Sequence, residues 1–462
     1  MGGTASKRRM SGVSSAKKQR SCNPKLDMQR VAVRVHDVII KGNTRTKDLV
    51  IRAAMDDLLR ASTLGEVSQG VQVAGDRLHQ LGIFDDIQLG FQDGPTDLPD
   101  TVNALVSVKE LPLKKLCDGK VGFAINRGGT CPNVQGELKW KNLLGLADTW
   151  EGSVSYNKVD NAGEFSTKVS LPKLGDCVGP VSARTYLGSQ DFLKSSSYKQ
   201  HALGLALDLL NTKNHKLSYD LAWRTLTTDR SQTASKSVSR QLGHDLLSSA
   251  KYSYQVDQRD SIKRPTKGYA YSLITQLAGL FPDLRSTRFL RQQFDFRCAL
   301  PLKWFGKANA ALNLGMSGGV VIPSGKKLSI ADKIFMGGDS FSPIGSIGEL
   351  GSFPGFEYRG LGPSEKRRNT LLRDALGGDV ALSTFANISY DLPMKALRDA
   401  GIYGHAFACA GNLSNIHDNG GHNFSPKKFL QTFRTSIGCG VVIPPNKVIP
   451  FATEIVSKAF QT

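Results

Sequence analysis

The chain has 462 residues, 40% of them hydrophobic and 8% aromatic, and a formal net charge of +20. It holds no run of eighteen apolar residues, which excludes a membrane-crossing helix, and no apolar stretch near its start reads as a secretory signal. With 47 glycines, 19 prolines and few stretches of helical period, the composition favours a large all-β domain.

The first thirty residues carry eight basic side chains against Asp27 alone, without hydrophobic period, and read as a disordered basic tail. Met1 to Ser6 match the pattern M-G-x-x-x-S, which makes Gly2 a candidate for myristoylation beside the basic cluster Lys7 to Arg9; a plain solvated tail is the alternative. Basic balance suits nucleic acid or an anionic membrane surface. Zinc spacing, an aromatic RNP box and a helix-turn-helix pattern are all missing, so nucleic acid is not expected as a partner. The seven cysteines, Cys22, Cys117, Cys131, Cys177, Cys298, Cys409 and Cys439, are odd in number and form no CxxC. They read as small apolar residues in a chain with at least one face in a reducing compartment.

Residues 31–111 form a small α+β unit of order β-α-α-β-β. "RVAVRVHDVIIKGN" alternates and ends in a Gly42-Asn43 turn. Thr46 to Arg60 and Leu64 to Leu81 carry helical spacing, the second stopped by Gly82. "FDDIQLGF" and "TVNALVSVKEL" are two further strands.

From about Asp118 the period changes to two. In "KLSYDLAWR", Leu217, Tyr219, Leu221 and Trp223 oppose Ser218, Asp220 and Arg224. In "VALSTFANISYD", Phe385 is the one large apolar residue on the polar side. Fourteen such segments occur, most of about 8–13 residues, which exceeds an ordinary strand and fits a tilted bilayer crossing. Only a closed barrel pairs every backbone group in lipid without helices, so residues 118–462 read as a transmembrane antiparallel β-barrel.

Two motifs invite chemistry and do not carry it. Gly315 to Gly319 match G-x-S-x-G, but a nucleophile elbow needs a following helix and Val320 to Pro323 do not begin one. His417, Asp418 and His422 lie in a Gly-Asn-rich loop that fixes no metal geometry. The expectation is no enzyme activity, no cofactor and no metal. Residues 319–377 form a loop far longer than connections usually are. It holds Ile334, Phe335, Met336, Phe353, Phe356 and Tyr358 among glycines, which suggests a loop folded into a cavity.

The strings "VIIKGNTRT", "LHQLGIFDDIQLGF", "RPTKGYAYSL" and "FMGGDS…FPGFEYRGLGP…ALGGDVALS" resemble the β-barrel assembly family, over about residues 31–443. This superfamily includes bacterial BamA and the barrel subunit of the mitochondrial sorting and assembly machinery, and the chain looks most like the latter in its plant form. The resemblance implies a sixteen-strand barrel behind one POTRA domain, here residues 31–111, and insertion of β-barrel precursors into an outer membrane. It implies accessory subunits and outer-membrane lipid as partners. The mitochondrial outer membrane is the implied location, with the chloroplast outer envelope as the alternative. A polypeptide-conducting channel of the same superfamily and an inactive structural paralogue remain as alternative functions.

By the same resemblance, Lys120, Val121, Gly122, Phe123, Ala124, Ile125, Asn126 and Arg127 form the seam strand that opens sideways. Phe84, Ile87, Leu89 and Phe91 mark the POTRA edge. Gly337, Gly338, Phe353, Pro354, Gly355, Phe356, Arg359, Gly360, Gly362 and Pro363 make the lumen-loop motif. Two departures stand out. The family usually has R-G-F where this chain has Pro354-Gly355-Phe356, so Arg359 is the candidate to supply the charge. Only fourteen good strands occur, with residues 447–456 as one Pro-interrupted strand, so the last seam strand is expected to be missing through an altered or truncated end after about Pro445.

Overall fold

The computed structural model describes residues 31–125, 132–157, 162–172, 180–229, 233–262, 264–281, 287–302, 310–325, 328–338, 353–416, 425–442 and 454–461. The first unit runs β1 (Arg34–Lys41), α1 (Asp48–Ala54), α2 (Asp56–Leu59), α3 (Leu64–Leu81), β2 (Phe84–Asp93) and β3 (Thr101–Glu110). Its sheet has the order β1-β3-β2, with β1 parallel and β2 antiparallel to β3. Thr63 caps α3 by accepting from the Glu66 N–H, while the Glu66 carboxylate accepts from the Ser62 N–H at 2.8 Å. Val67, Ala74 and Leu78 give α3 one buried face. The helix expected over 46–60 is instead two short ones. Wholly buried Met55 sits between them at φ −93° and ψ 2°, so tertiary packing overrides the local helical pattern there.

The second unit begins with β4 (Cys117–Ile125), β5 (Pro132–Lys141), β6 (Thr149–Asn157), β7 (Ala162–Leu171) and β8 (Val181–Asp191). It continues through β9 (Lys199–Asn211), β10 (His215–Thr227), β11 (Gly243–Asp257), β12 (Gly268–Ala278), β13 (Phe289–Leu302) and β14 (Ala310–Pro323). A long loop carrying the hairpin β15 (Ser364–Lys366) and β16 (Arg373–Ala375) leads to β17 (Val380–Asp391), β18 (Tyr403–Ser414), β19 (Arg434–Val442) and β20 (Glu454–Gln461). Apart from the small hairpin, these are fifteen strands of one sheet in chain order, each antiparallel to the next. Among the described residues no helix is long and apolar enough to cross a membrane.

Among the described side chains of the large sheet, successive residues alternate between two environments. Leu138, Val154, Phe165, Leu187, Leu203 and Phe296 stand exposed on the outer face. Arg224, Asp295, Arg297, Asn387 and His405 are buried on the inner one. An exposed apolar band around a polar interior is the arrangement that lipid outside and water inside require.

The fourteen expected segments fall on β4 to β14 and β17 to β19. Two boundaries need correction. The long loop does not start at 319, because Val320 still pairs with Gln292 and Val380, and β14 runs on to Pro323. Gly315 to Gly319 therefore lie inside a strand. The strand expected over 447–456 lies at Glu454–Gln461 instead, beyond Pro450, where every residue can donate to the ladder with β19. Residues 443–453 lie outside the described residues.

The two units are joined at the end of the barrel where β5 turns into β6. Glu110 closes β3 and accepts from the N–H groups of Thr44 (3.1 Å), Arg45 (3.1 Å) and Thr46 (2.8 Å) and from the Thr44 hydroxyl (2.8 Å). Thr46 Oγ1 in turn accepts from Asn142 Nδ2 at 2.9 Å, and the Lys47 N–H donates to Gly145 O at 2.8 Å. Asp148, fully buried, accepts from the N–H groups of Leu144 and Leu146 and from the Trp150 indole, which fixes the turn's shape. Leu116 and Ala147 complete a core shared with Ile51, Leu58 and Val106.

Burial alone would raise the Glu110 carboxyl, but the donors on Thr46, Thr44 and Arg45 outweigh it and lower it from 4.5 to about 2. A lowered folded value means stability that is complete above the ordinary carboxyl range and is lost as pH falls toward 2. Glu110→Gln should destabilise the small unit by about 2 kcal/mol. The check is the urea midpoint for trypsin resistance of residues 34–110, and an unchanged midpoint would contradict this account.

Candidate functional site

The connections β8–β9, β10–β11, β14–β17 and β18–β19 all lie at the end of the barrel opposite the β5–β6 turn, as the alternation of strand direction requires. The long loop leaves β14 at that far rim and enters the lumen. Its inward and returning limbs bridge one another at Met336 with Leu361 and at Gly338 with Phe353, while Ile334 pairs with Gly378. Gly337 takes φ 117°, and a Cβ there would lie 2.5 Å from Glu357 O on the returning limb, so only glycine permits this pairing.

Apolar anchors hold the loop against the wall. Ile334, Met336, Phe353 and Leu361 are at most 5% exposed and cluster with Ala222, Leu247, Phe289, Val321, Phe407, Cys409 and Leu413 of the inner face. The Phe353 ring lies over Gly411 of β18, where a Cβ would come within 2.8 Å of it, and packs edge-on against Phe356 with centroids 5.2 Å apart. The lumen between β10 and β18 is thus filled by a packed core built from loop and wall.

One buried charge cluster joins loop to wall. A 3₁₀ turn in the loop, Ile330–Asp332, brings Asp332 against Arg224 of β10, with Nη1 to Oδ1 at 2.7 Å and Nη2 to Oδ2 at 2.8 Å. The same guanidinium holds Asp245 of β11 through Nε at 2.8 Å and Nη2 at 3.0 Å. Arg291 of β13 donates to the Asp332 carbonyl at 2.6 Å. Arg224 is 5% exposed and Asp332 3%. Removing Arg224 would leave Asp332 buried without its ion-pair partner, which costs about 3–5 kcal/mol.

A second clamp sits at the far rim. Arg359, at φ 58°, places its guanidinium 3.7 Å from the Phe192 ring and 3.8 Å from the Phe335 ring, and donates to Tyr198 Oη at 3.1 Å. The hairpin β15–β16 covers the rim nearby. Buried Asp374 accepts from Arg367 Nε at 2.7 Å, from Ser197 Oγ at 2.6 Å and from the Ser235 N–H at 2.9 Å. Loops 192–198 and 233–241 are thereby tied to the plug. At the near end the β11–β12 turn crosses the mouth, where Arg264 pairs with Asp391 of β17 at 2.6 Å and stacks over Tyr403.

Gly337, Gly338, Phe353, Pro354, Gly355, Phe356, Arg359, Gly360, Gly362 and Pro363 are brought together in this plug. Pro354 is buried and Arg359 half-buried, and Arg359 reaches the rim aromatics, not a carboxylate of the wall. The loop-to-wall charge contact belongs instead to Arg224 and Asp332. Asp332 opens the string "DKIFMGGDS", and an acid directly before a row of apolar anchors is the only local signal that marks it.

Lys120 to Ile125 lie on β4, a terminal strand that pairs only with β5 among the described residues. Asn126, Arg127, Gly2, His417, Asp418 and His422 lie outside the described residues. β2 is a sheet edge. However, Phe84 is 8% exposed, and Ile87 and Leu89 pack against the α+β core. Those three side chains face inward, and only Phe91, 47% exposed, stands free.

The plug leaves the other side of the lumen open. A cavity of about 320 Å³ lies against the inner faces of β5 to β11, lined by Gln135, Glu164, Arg184, Tyr186, Gln200 and Arg224 among others. Tyr186 Oη donates to Asp220 at 3.1 Å and Arg184 Nη2 to Glu164 at 2.6 Å, so the wall presents paired charges and amides.

A single antiparallel meander with an apolar outer band, a polar interior and its longest loop packed inside defines a transmembrane β-barrel with a plugged lumen. The Omp85 superfamily domain matches residues 142–446, and the chain belongs to that superfamily. It is similar to the sorting and assembly machinery component 50 homolog of Xenopus tropicalis, at 26% identity over 424 residues, 89% of this chain and 83% of that protein. The mouse homolog is 27% identical over 420 residues, 88% of this chain and 82% of that one. Among solved structures, BamA from Haemophilus ducreyi lacking POTRA domains 1–3 shares the fold, with a TM-score of 0.66 over 93% of this chain and 83% of that one at 14% identity.

Arg359→Ala should loosen the far rim by about 1–2 kcal/mol. Heat-modifiable migration should be lost at a lower temperature and trypsin should reach the β15–β16 hairpin. Unchanged heat stability and cleavage would show that the clamp contributes nothing.

Proposed function

We propose that this chain is the barrel subunit of a machinery that inserts β-barrel precursors into the mitochondrial outer membrane. The observation that carries the reading is a terminal strand, β4, with one edge unpaired among the described residues, next to strands whose inner faces line a cavity of about 320 Å³. An incoming strand can satisfy its backbone groups on that edge by β-augmentation, which removes the cost of unpaired N–H and C=O groups in hydrocarbon. Similarity to two sorting and assembly machinery proteins over most of the chain supports the same reading.

In this reading Lys120 to Arg127 supply the seam, and residues 31–111 act as a POTRA domain whose β2 edge takes incoming chain or accessory subunits. Phe91 is the side chain available there. The lumen-loop motif shapes the interior and does no bond-making chemistry. The partners are β-barrel precursors, accessory subunits and outer-membrane lipid.

The test is replacement in cells depleted of their own barrel subunit. Assembly of an outer-membrane channel precursor into its heat-resistant form should recover to at least half of normal. A chain that joins the membrane and binds accessory subunits yet restores nothing would be an inactive paralogue, and the proposal would fall.

A further inference from the structure

We infer that Asp332 and Arg224 form a releasable latch that holds the long loop in the lumen, with the cation on the wall and the acid on the loop. Neither residue belongs to the loop's glycine–aromatic motif, and position 354, where the resembled family carries its loop arginine, is a buried proline. Arg224 is the wall's side of the contact. Its two carboxylate partners differ in kind. Asp245 is a neighbour in the sheet, bonded through Nε and Nη2, while Asp332 arrives with the loop, bonded through Nη1 and Nη2.

That difference makes the contact releasable. When the loop withdraws, Arg224 keeps Asp245 and does not become a lone buried charge, while Asp332 leaves for water, where a carboxylate is well solvated. Arg291 loses a bond to the Asp332 carbonyl and the nearby Asp332 charge, and keeps its bond to Gln276 Oε1 at 3.2 Å. A wall arginine with Asp332 as its sole partner would instead act as a rivet. The cluster of Arg224, Arg291, Asp245 and Asp332 is neutral as a whole, so the seated state carries no net charge into the lumen core. Asp332 and Arg224 are positioning residues that act through the loop.

The test uses the full chain in planar bilayers. Its readout is ion conductance, which does not depend on the assembly activity proposed above. Asp332→Asn frees the loop and leaves the wall pair intact. Asp245→Asn breaks the wall pair and leaves the latch. Mean conductance should rise several-fold for Asp332→Asn and stay near the unmodified level for Asp245→Asn, both barrels keeping heat-modifiable migration. Adding Arg224→Glu to Asp332→Arg should return the high conductance of Asp332→Arg alone toward the unmodified level. Equal conductance of Asp332→Asn and the unmodified chain would overturn the inference, as would an equal rise in the two asparagine variants. An Asp332→Asn chain that cannot fold would make the pair a rivet and overturn it as well.

Discussion

In hydrocarbon a backbone N–H or C=O has no water to fall back on, and the strands of this protein meet that constraint by pairing sideways. In the large sheet β5 to β14 and β17 to β19 each have a ladder on both edges. The period-two pattern follows from the same requirement, because pairing in a sheet sends alternate side chains to opposite solvents. The outer band can then be apolar and the inner face charged within one segment, as Trp223 and Arg224 are on β10.

The interior poses the opposite problem. A wide barrel lined with charge would hold water, and apolar inner residues such as Phe289, Phe407 and Leu413 would face it. The long loop resolves this on one side only. Its apolar anchors bury those side chains, and its buried Asp332 meets the wall's arginine in a low-dielectric setting where the pair is strong but its desolvation is costly. On the other side a cavity of about 320 Å³ remains against β5 to β11. This asymmetry separates a packed region, from β10 to β18, from a cavity on the inner faces of β5 to β11. The Glu110, Asn142 and Asp148 bonds fix the small α+β unit at the β5–β6 turn.

Fourteen of the fifteen strands, their faces and the inward course of the loop were legible in the sequence, because period-two alternation and a row of aromatics among glycines are local signals; β20, past Pro450, was not. Phe385 shows how much the alternation conveyed: it broke the pattern, and it lies on the inner face with Arg297 stacked over its ring. The pairing of Arg224 with Asp332 was not legible. The two are 108 residues apart, and an arginine on a polar strand face looks the same whether it meets water or a loop. The break at Met55 was hidden for a related reason, since spacing describes a helix's face and not the depth at which one residue must turn. Phe84, Ile87 and Leu89 were read as an offered edge. An edge strand of a small sheet still gives its alternate side chains to the core, so what such a strand offers is backbone.

The central claim is that the loop is a packed part of the barrel interior and not a surface connection. Amide hydrogen exchange on the membrane-reconstituted chain measures this directly. Residues 328–338 and 353–363 should exchange as slowly as the interior strands β13 and β14. Exchange as fast as an exposed connection, on the scale of seconds, would contradict it.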